Sequence, residues 1–262
     1  MSRRDLILAE IGHRTLWQPR HPPVGAQPAL SAATIPESTS HITMAVAAPP
    51  SPAAENTSVA EPPSPAAPTA IVAAAPIPIA DWDDLQGQVS ACQQCQLAKT
   101  RNNTVVGRGN NKARVLLIGE APGEQEDRQG LPFVGKAGQL LENMLAAAGI
   151  DSARDVYICN LLKCRPPGNR NPAQDEITKC NRFLQWQIDA VQPELIVAVG
   201  RFAAQSLLQN QASLSSLRGK LHQHGRYPVL VSFHPAYLLR SPTEKAKAWQ
   251  DWCRVRQLLK QQ

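Results

Sequence analysis

A proline- and alanine-rich window near the N-terminus limits what this chain can fold into more than any other feature. Of the 262 residues, those from His21 to Ala80 include 13 of the 23 prolines, 17 alanines, one glycine and no lysine. Proline lacks the backbone donor and fixes φ, so neither a helix nor a central strand can run through such a window. Its few large apolar side chains cannot offset the entropy of ordering it. Residues 21–80 are therefore expected to form a disordered linker. The foldable part is the stretch of about 180 residues from Asp81 to Gln262, enough for one core and too short for two large domains.

Charge divides along the same line. Residues 1–80 carry 4 Lys and Arg against 5 Asp and Glu, whereas residues 81–262 carry 23 against 16, a net of +7. A basic globular domain leans toward nucleic acid or another polyanion, with ordinary solubility charge as the alternative. No stretch approaches the roughly 18 uninterrupted apolar residues of a membrane span. The start, with Leu6-Ile7-Leu8 between Asp5 and Glu10, is too short for a signal-peptide core. A cytoplasmic chain is expected, so its six cysteines should be reduced, and clustering among them suggests metal before disulfide.

From Asp81 the pattern becomes regular. The spacing predicts helices over Asp81–Thr100, Lys136–Gly149, Pro172–Val191, Arg201–Gln209 and Thr243–Lys260, with Gly149 as a terminator and Pro172 in a first turn. Short apolar runs predict strands at Arg114–Gly119, Asp155–Asn160, Glu194–Gly200 and Pro228–Phe233. Their alternation with helices argues for a three-layer α/β/α domain with a central, mainly parallel four-stranded sheet.

The segments just beyond the strands carry the chemistry. Gly119-Glu-Ala-Pro-Gly123 comes after the first strand, Asn160 and then Lys163-Cys-Arg-Pro-Pro-Gly-Asn-Arg170 after the second, and His234-Pro-Ala-Tyr-Leu-Leu-Arg240 after the fourth. Ligands of open parallel sheets bind outside the carboxyl ends of the strands, so a carboxylate, a carboxamide and an imidazole converge on one crevice. Each alone would be an ordinary core or loop residue; together they mark a site. Gly130-x4-Gly135-Lys136-Ala137 comes within one residue of a P-loop, but Ala137 replaces the magnesium-binding hydroxyl and no strand immediately precedes Gly130.

These three segments, together with Gly130-Leu-Pro-Phe-Val-Gly-Lys-Ala-Gly138, resemble the family 4, iron–sulfur-containing uracil-DNA glycosylases from about Asp81 to the C-terminus. The resemblance implies cleavage of the N-glycosidic bond of deoxyuridine in DNA, leaving an abasic site for base excision repair. It requires the base to leave the stack. Phe133 is then the stacking platform. Asn160 is the base reader, whose carboxamide can accept from uracil N3–H and donate to O4. His234 is the donor to the departing base as negative charge builds on it. Ala121 stands where the best-known branch of the superfamily carries an aspartate. The remaining pocket carboxylates are Glu120, ranked first as base or water-positioner, and Glu126, a second catalytic candidate that could also crowd C5 to reject thymine. Asn169 is a further pocket residue. Leu238, Leu239 and Arg240 fall where the superfamily inserts a wedge into DNA, and Arg165 and Arg170 are candidates for phosphate contacts. No lysine occupies a nucleophile position, so a monofunctional, monomeric, nucleoid-associated enzyme is expected. A catalytically silent DNA-binding scaffold is the competing class.

Cys92-x2-Cys95 and Cys164-x15-Cys180 suggest four thiolates on one metal centre, and spacing alone leaves zinc and iron–sulfur open. The resemblance implies a [4Fe–4S] cluster on these four. Cys159 and Cys253 read as buried apolar residues. At the other end, residues 1–20, with Ser2-Arg3-Arg4-Asp5, Ile11-Gly12 and Trp17, resemble the peptide of the psi subunit of DNA polymerase III that binds the chi subunit. The resemblance implies a docking peptide that tethers the enzyme to the replisome.

Overall fold

The computed structural model describes residues 78–260. The expected docking peptide, and all but the last three residues of the expected linker, lie outside the described residues. Pro78 and Ile79 are already tied to the folded part. Trp186 Nε1 donates to the Ile79 carbonyl at 3.0 Å, and Gln88 Nε2 to the Pro78 carbonyl at 3.3 Å.

The described residues form one six-stranded sheet in the order β1-β3-β2-β4-β6-β5. Its strands are β1 (Arg108–Gly109), β2 (Val115–Gly119), β3 (Val156–Asn160), β4 (Leu195–Val199), β5 (Leu221–His224) and β6 (Tyr227–Ser232). The four predicted strands are the parallel centre, β3-β2-β4-β6. The predicted count of four is corrected by two antiparallel edges, β1 on β3 and β5 on β6. Both lack an apolar run: β1 is two residues long, and Leu221-His-Gln-His224 alternates exposed with half-buried positions. Polar and very short edge strands also discourage pairing with other chains.

Every residue of β2, β3 and β4 is buried, because alternate side chains enter two separate cores. Leu116, Ile118, Ile196 and Ala198 face α4 (Gln174–Val191) and α5 (Arg201–Leu208). Val115, Leu117, Leu195 and Val197 face α3 (Lys136–Ala148) and α8 (Lys245–Lys260). The three-layer arrangement is the direct result. Strand order reverses between β2 and β4, and such switch points open a crevice at the strand carboxyl ends.

Three helix boundaries depart from expectation. The helix predicted over Asp81–Thr100 is broken: α1 (Trp82–Ala91) stops where Cys92 turns extended, and a 3-10 turn resumes at Gln96–Lys99. Cys92 and Cys95 are thereby in a loop rather than on a helix face. Pro172 precedes α4 instead of occupying its first turn, and the helix start is held by Glu176, which accepts from the Ala173 N–H at 2.9 Å. A separate 3-10 turn, Pro242–Glu244, interrupts the predicted closing helix before α8. Three short helices were not foreseen: α2 (Glu124–Gln129), α6 (Leu214–Leu217) and α7 (Pro235–Arg240).

Trp252 on α8 is the largest fully buried side chain among the described residues, packed in one core with Leu140, Met144 and Leu238. Trp252→Ala is expected to cost about 3–5 kcal/mol in urea unfolding. Trp249→Ala, one turn back and partly exposed, should cost clearly less; equal losses would contradict this packing.

Candidate active site

The carboxyl ends of β2, β3, β4 and β6 open into a cleft of about 620 Å³. Gly119 ends β2 and pairs in register with Asn160 at the end of β3. A side chain at Gly119 would collide with the Asn160 carboxamide and come within 2.8 Å of the Phe133 ring. Glycine there is what lets the two groups meet over the strand end.

Phe133 itself has φ +55, a genuine outlier for a bulky residue, costing on the order of 1–3 kcal/mol. Two contacts hold it. Gly138 at the start of α3 lies so close that any Cβ would strike the Phe133 carbonyl. On the other side Glu126 Oε1 accepts from the N–H groups of Val134 and Gly135, both at 3.1 Å, while its Oε2 accepts from Gly123 N–H at 3.1 Å. Glu126 lines the cleft, yet both its oxygens are engaged by backbone donors. It joins the loop after β2 to the loop carrying Phe133, a structural engagement that the sequence did not show.

His234 caps α7, and its Nδ1 accepts from the Ala236 N–H at 3.2 Å. In a neutral imidazole the proton then sits on Nε2, which is left as a donor. Burial, with help from the nearby Arg240 charge and against that of Glu126, lowers the imidazole from 6.5 to about 4. The unfolded chain thus binds a proton near 6.5 that the folded chain refuses until about 4. The residue opposes folding as pH falls through that window and stays neutral above it. Its ring lies 5.5 Å from that of Phe133, tilted by 30°.

Asn160 is 2 % exposed, and its Oδ1 is buried without a hydrogen-bond partner. An unpaired buried acceptor costs about 1–3 kcal/mol, and such a group in a cleft wall is the mark of a ligand-binding atom. Burial raises the Glu120 carboxyl above its ordinary 4.5, and the Arg201 charge opposes that rise.

Of the expected residues, Glu120, Ala121, Glu126, Phe133, Asn160 and His234 share the cleft, joined at its rim by Asn169, Arg170 and Arg240. Three expectations change. Leu238 is wholly buried in the core with Leu140 and Trp252, so it cannot serve as a wedge from that position; the exposed apolar residues of that segment are Leu239 and Tyr237. Arg170 donates to Glu176 through Nη1 and Nη2, at 2.9 and 2.6 Å, which already supplies its countercharge. Arg165 donates to Asn169 Oδ1 at 2.8 Å. Arg201 and Tyr237 also line the cleft and were not among the expected residues. Arg201 lies just beyond β4, the one parallel strand whose carboxyl end carries no recognisable motif in the sequence.

A second cavity is lined by all four expected metal ligands, Cys92, Cys95, Cys164 and Cys180, and by Lys163. Arg101 Nη1 donates to Cys164 Sγ at 3.1 Å. Burial pushes the Cys164 and Cys180 thiols up, so thiolates there call for a cationic centre. Among the described residues no three His, Cys, Asp or Glu side chains are grouped to hold a single metal ion. Cys159 is buried as expected, whereas Cys253 is only partly so. No helix among the described residues is long and apolar enough to cross a membrane.

The chain matches the family described as the uracil DNA glycosylase superfamily over residues 106–253. It is 41% identical over 184 residues to a type-4 uracil-DNA glycosylase of Archaeoglobus fulgidus, a match covering 67% of this chain and 92% of the relative. The type-4 enzyme of Saccharolobus solfataricus is 40% identical, covering 68% and 86%. That of Thermotoga maritima is 43% identical, covering 61% and 84%. With a family match over more than half its length and relatives matched over most of theirs, the chain belongs to the uracil-DNA glycosylase superfamily and, within it, to the type-4 enzymes.

Proposed function

We propose that this chain is a uracil-DNA glycosylase that hydrolyses the bond between C1′ and uracil N1 in DNA, initiating base excision repair. The observation that carries the reading is the unpartnered, buried Asn160 Oδ1 in a cleft shared with the Phe133 ring and the His234 imidazole. A flipped uracil stacked on Phe133 offers N3–H to that oxygen, and its O4 can accept from the amide of the same side chain. Cytosine presents an acceptor at N3 and an amine at C4, leaving both Asn160 groups opposed. As the C1′–N1 bond breaks, its electron pair stays on the base, and the Nε2–H of a neutral His234 stabilises that charge. Water adds its oxygen to C1′, with Glu120 orienting it and accepting its proton. Exposed Leu239 and Tyr237 are the side chains suited to support the opened duplex, and the cleft-lining Arg201 and Arg240 are candidates for phosphate contacts.

The four cysteines fit a [4Fe–4S] cluster. They surround one cavity, burial raises the Cys164 and Cys180 thiols so that a cationic centre would favour their thiolates, and the resemblance to the family's four ligand positions favours the cluster over zinc. When bound, the cluster supplies four metal–thiolate links. The chain's own contribution is to bring the loop after α1, the segment after β3 and α4 to one point. Residues 1–20 would add a tether to the chi subunit, a role supported by their resemblance to the psi peptide.

The direct test is incubation of the full-length protein with a uracil-containing oligonucleotide and alkaline cleavage of abasic sites. Strand scission at uracil is expected; none from iron-replete protein, on single- or double-stranded substrate, overturns the reading. Asn160→Asp should lose uracil excision or gain action on cytosine, and an unchanged uracil rate would remove Asn160 from base recognition.

Glu120 sets the expected pH profile. It must be ionised to accept a proton, so the single-turnover rate should fall as pH drops through a midpoint above 4.5, while His234 stays neutral down to about 4. Glu120→Gln should abolish that limb and lower the rate about 100-fold or more. Arg201→Ala removes the charge that favours the carboxylate and should shift the limb to higher pH. A limb unmoved by Arg201→Ala would show that another group titrates.

A further inference from the structure

Lys163 is 1% exposed, and neither base recognition nor cysteine ligation accounts for it. Its ammonium donates to the backbone carbonyl of Asn160 at 2.7 Å and to Gln187 Oε1 at 2.6 Å. Gln187, fully buried on α4, is itself fixed in orientation, because its Nε2 bonds the Val106 carbonyl at 3.0 Å and the Tyr157 hydroxyl at 3.1 Å. The Lys163 carbonyl in turn accepts from Val105 N–H at 2.8 Å. Both named acceptors are neutral, so hydrogen bonds hold the buried amine in place. Lys163 also lines the cavity of the four cysteines.

We propose that Lys163 is a positioning residue for base recognition, clamping the Asn160 backbone through a buried hydrogen-bond relay to Gln187. The inference rests on the reading of Asn160 as the base reader. The clamp acts at the last residue of β3, where sheet pairing with Gly119 ends and the backbone would otherwise be freer to shift. Asn160 and Cys164 are four residues apart, and Lys163 closes that short segment on itself. A displacement of the Asn160 backbone by a fraction of an ångström would misalign a carboxamide that must meet two atoms of one base edge.

Lys163→Met keeps the length and apolar stem and deletes the donor. The probe is a duplex carrying a single 2′-fluoro-deoxyuridine, which resists glycosidic cleavage, compared with the same duplex carrying thymidine. In full-length protein the variant should retain iron content, visible absorption and affinity for the thymidine duplex, yet bind the fluorinated-uracil duplex at least tenfold more weakly. Full iron content with undiminished preference for the fluorinated-uracil duplex overturns the proposal. Should Lys163→Met fail to fold or lose its iron, Gln187→Leu decides, since Gln187 does not line the cysteine cavity. A threefold or larger loss of that preference with iron retained supports the relay, and an unchanged preference refutes it. Failure of the native protein to excise uracil would instead sink the reading of Asn160, a separable result.

Discussion

The cleft depends on one crowded contact, the seating of Phe133 against the end of β2. The ring can approach Asn160 only because Gly119 carries no side chain, and its backbone can hold a left-handed conformation only because Gly138 admits the carbonyl beneath it. Strain of this kind persists when the surroundings over-determine it. Here the surroundings are a helix start on one side and the Glu126 carboxylate on the other. That carboxylate accepts three backbone N–H groups from two loops. Without those bonds neither the loop after β2 nor the Phe133 loop would be held in this way.

Burial then divides the labour among the titratable groups. The same desolvation lowers the imidazole and raises the carboxyl, and each shift suits the chemistry. In the proposed role, a neutral His234 would donate to a developing anion without becoming an acid that must be regenerated. A Glu120 carboxylate raised by burial is a better proton acceptor than one in water, and the Arg201 charge opposes the rise. The alanine at position 121 leaves this work to a side chain one residue earlier, still on the loop beyond β2.

Much of this was legible in the sequence because it is written in local patterns. Apolar runs marked the four parallel strands, and their carboxyl ends led to Glu120, Asn160 and His234. The rest is not local. β5 is polar, and its pairing is set by a turn at Gly225 and by the register with β6. Leu238 and Leu239 are adjacent leucines in the sequence; only the rotation of α7 sends one into the core and leaves the other exposed. The structural bonds of Glu126 were not legible, because its partners Val134 and Gly135 are eight and nine residues away and offer only backbone groups, which no side-chain motif records. Arg201 stands in no motif, although the rule that found its neighbours applies equally to β4.

The segment after β3 joins the two centres. Asn160 and Cys164 lie within one short stretch that cannot move at one end without moving at the other, and Leu161 and Leu162 pin it further by donating to the carbonyls of Gly119 and Glu120. Glu120, Asn160 and Cys164 therefore share one hydrogen-bonded unit. Four thiolates gathered by a cluster would fix the far end of that unit far more rigidly than apolar packing could, because metal–sulfur bonds define both distance and direction. Such anchoring would give a cluster a role even without redox chemistry: it would hold the wall of the cleft that carries Asn160.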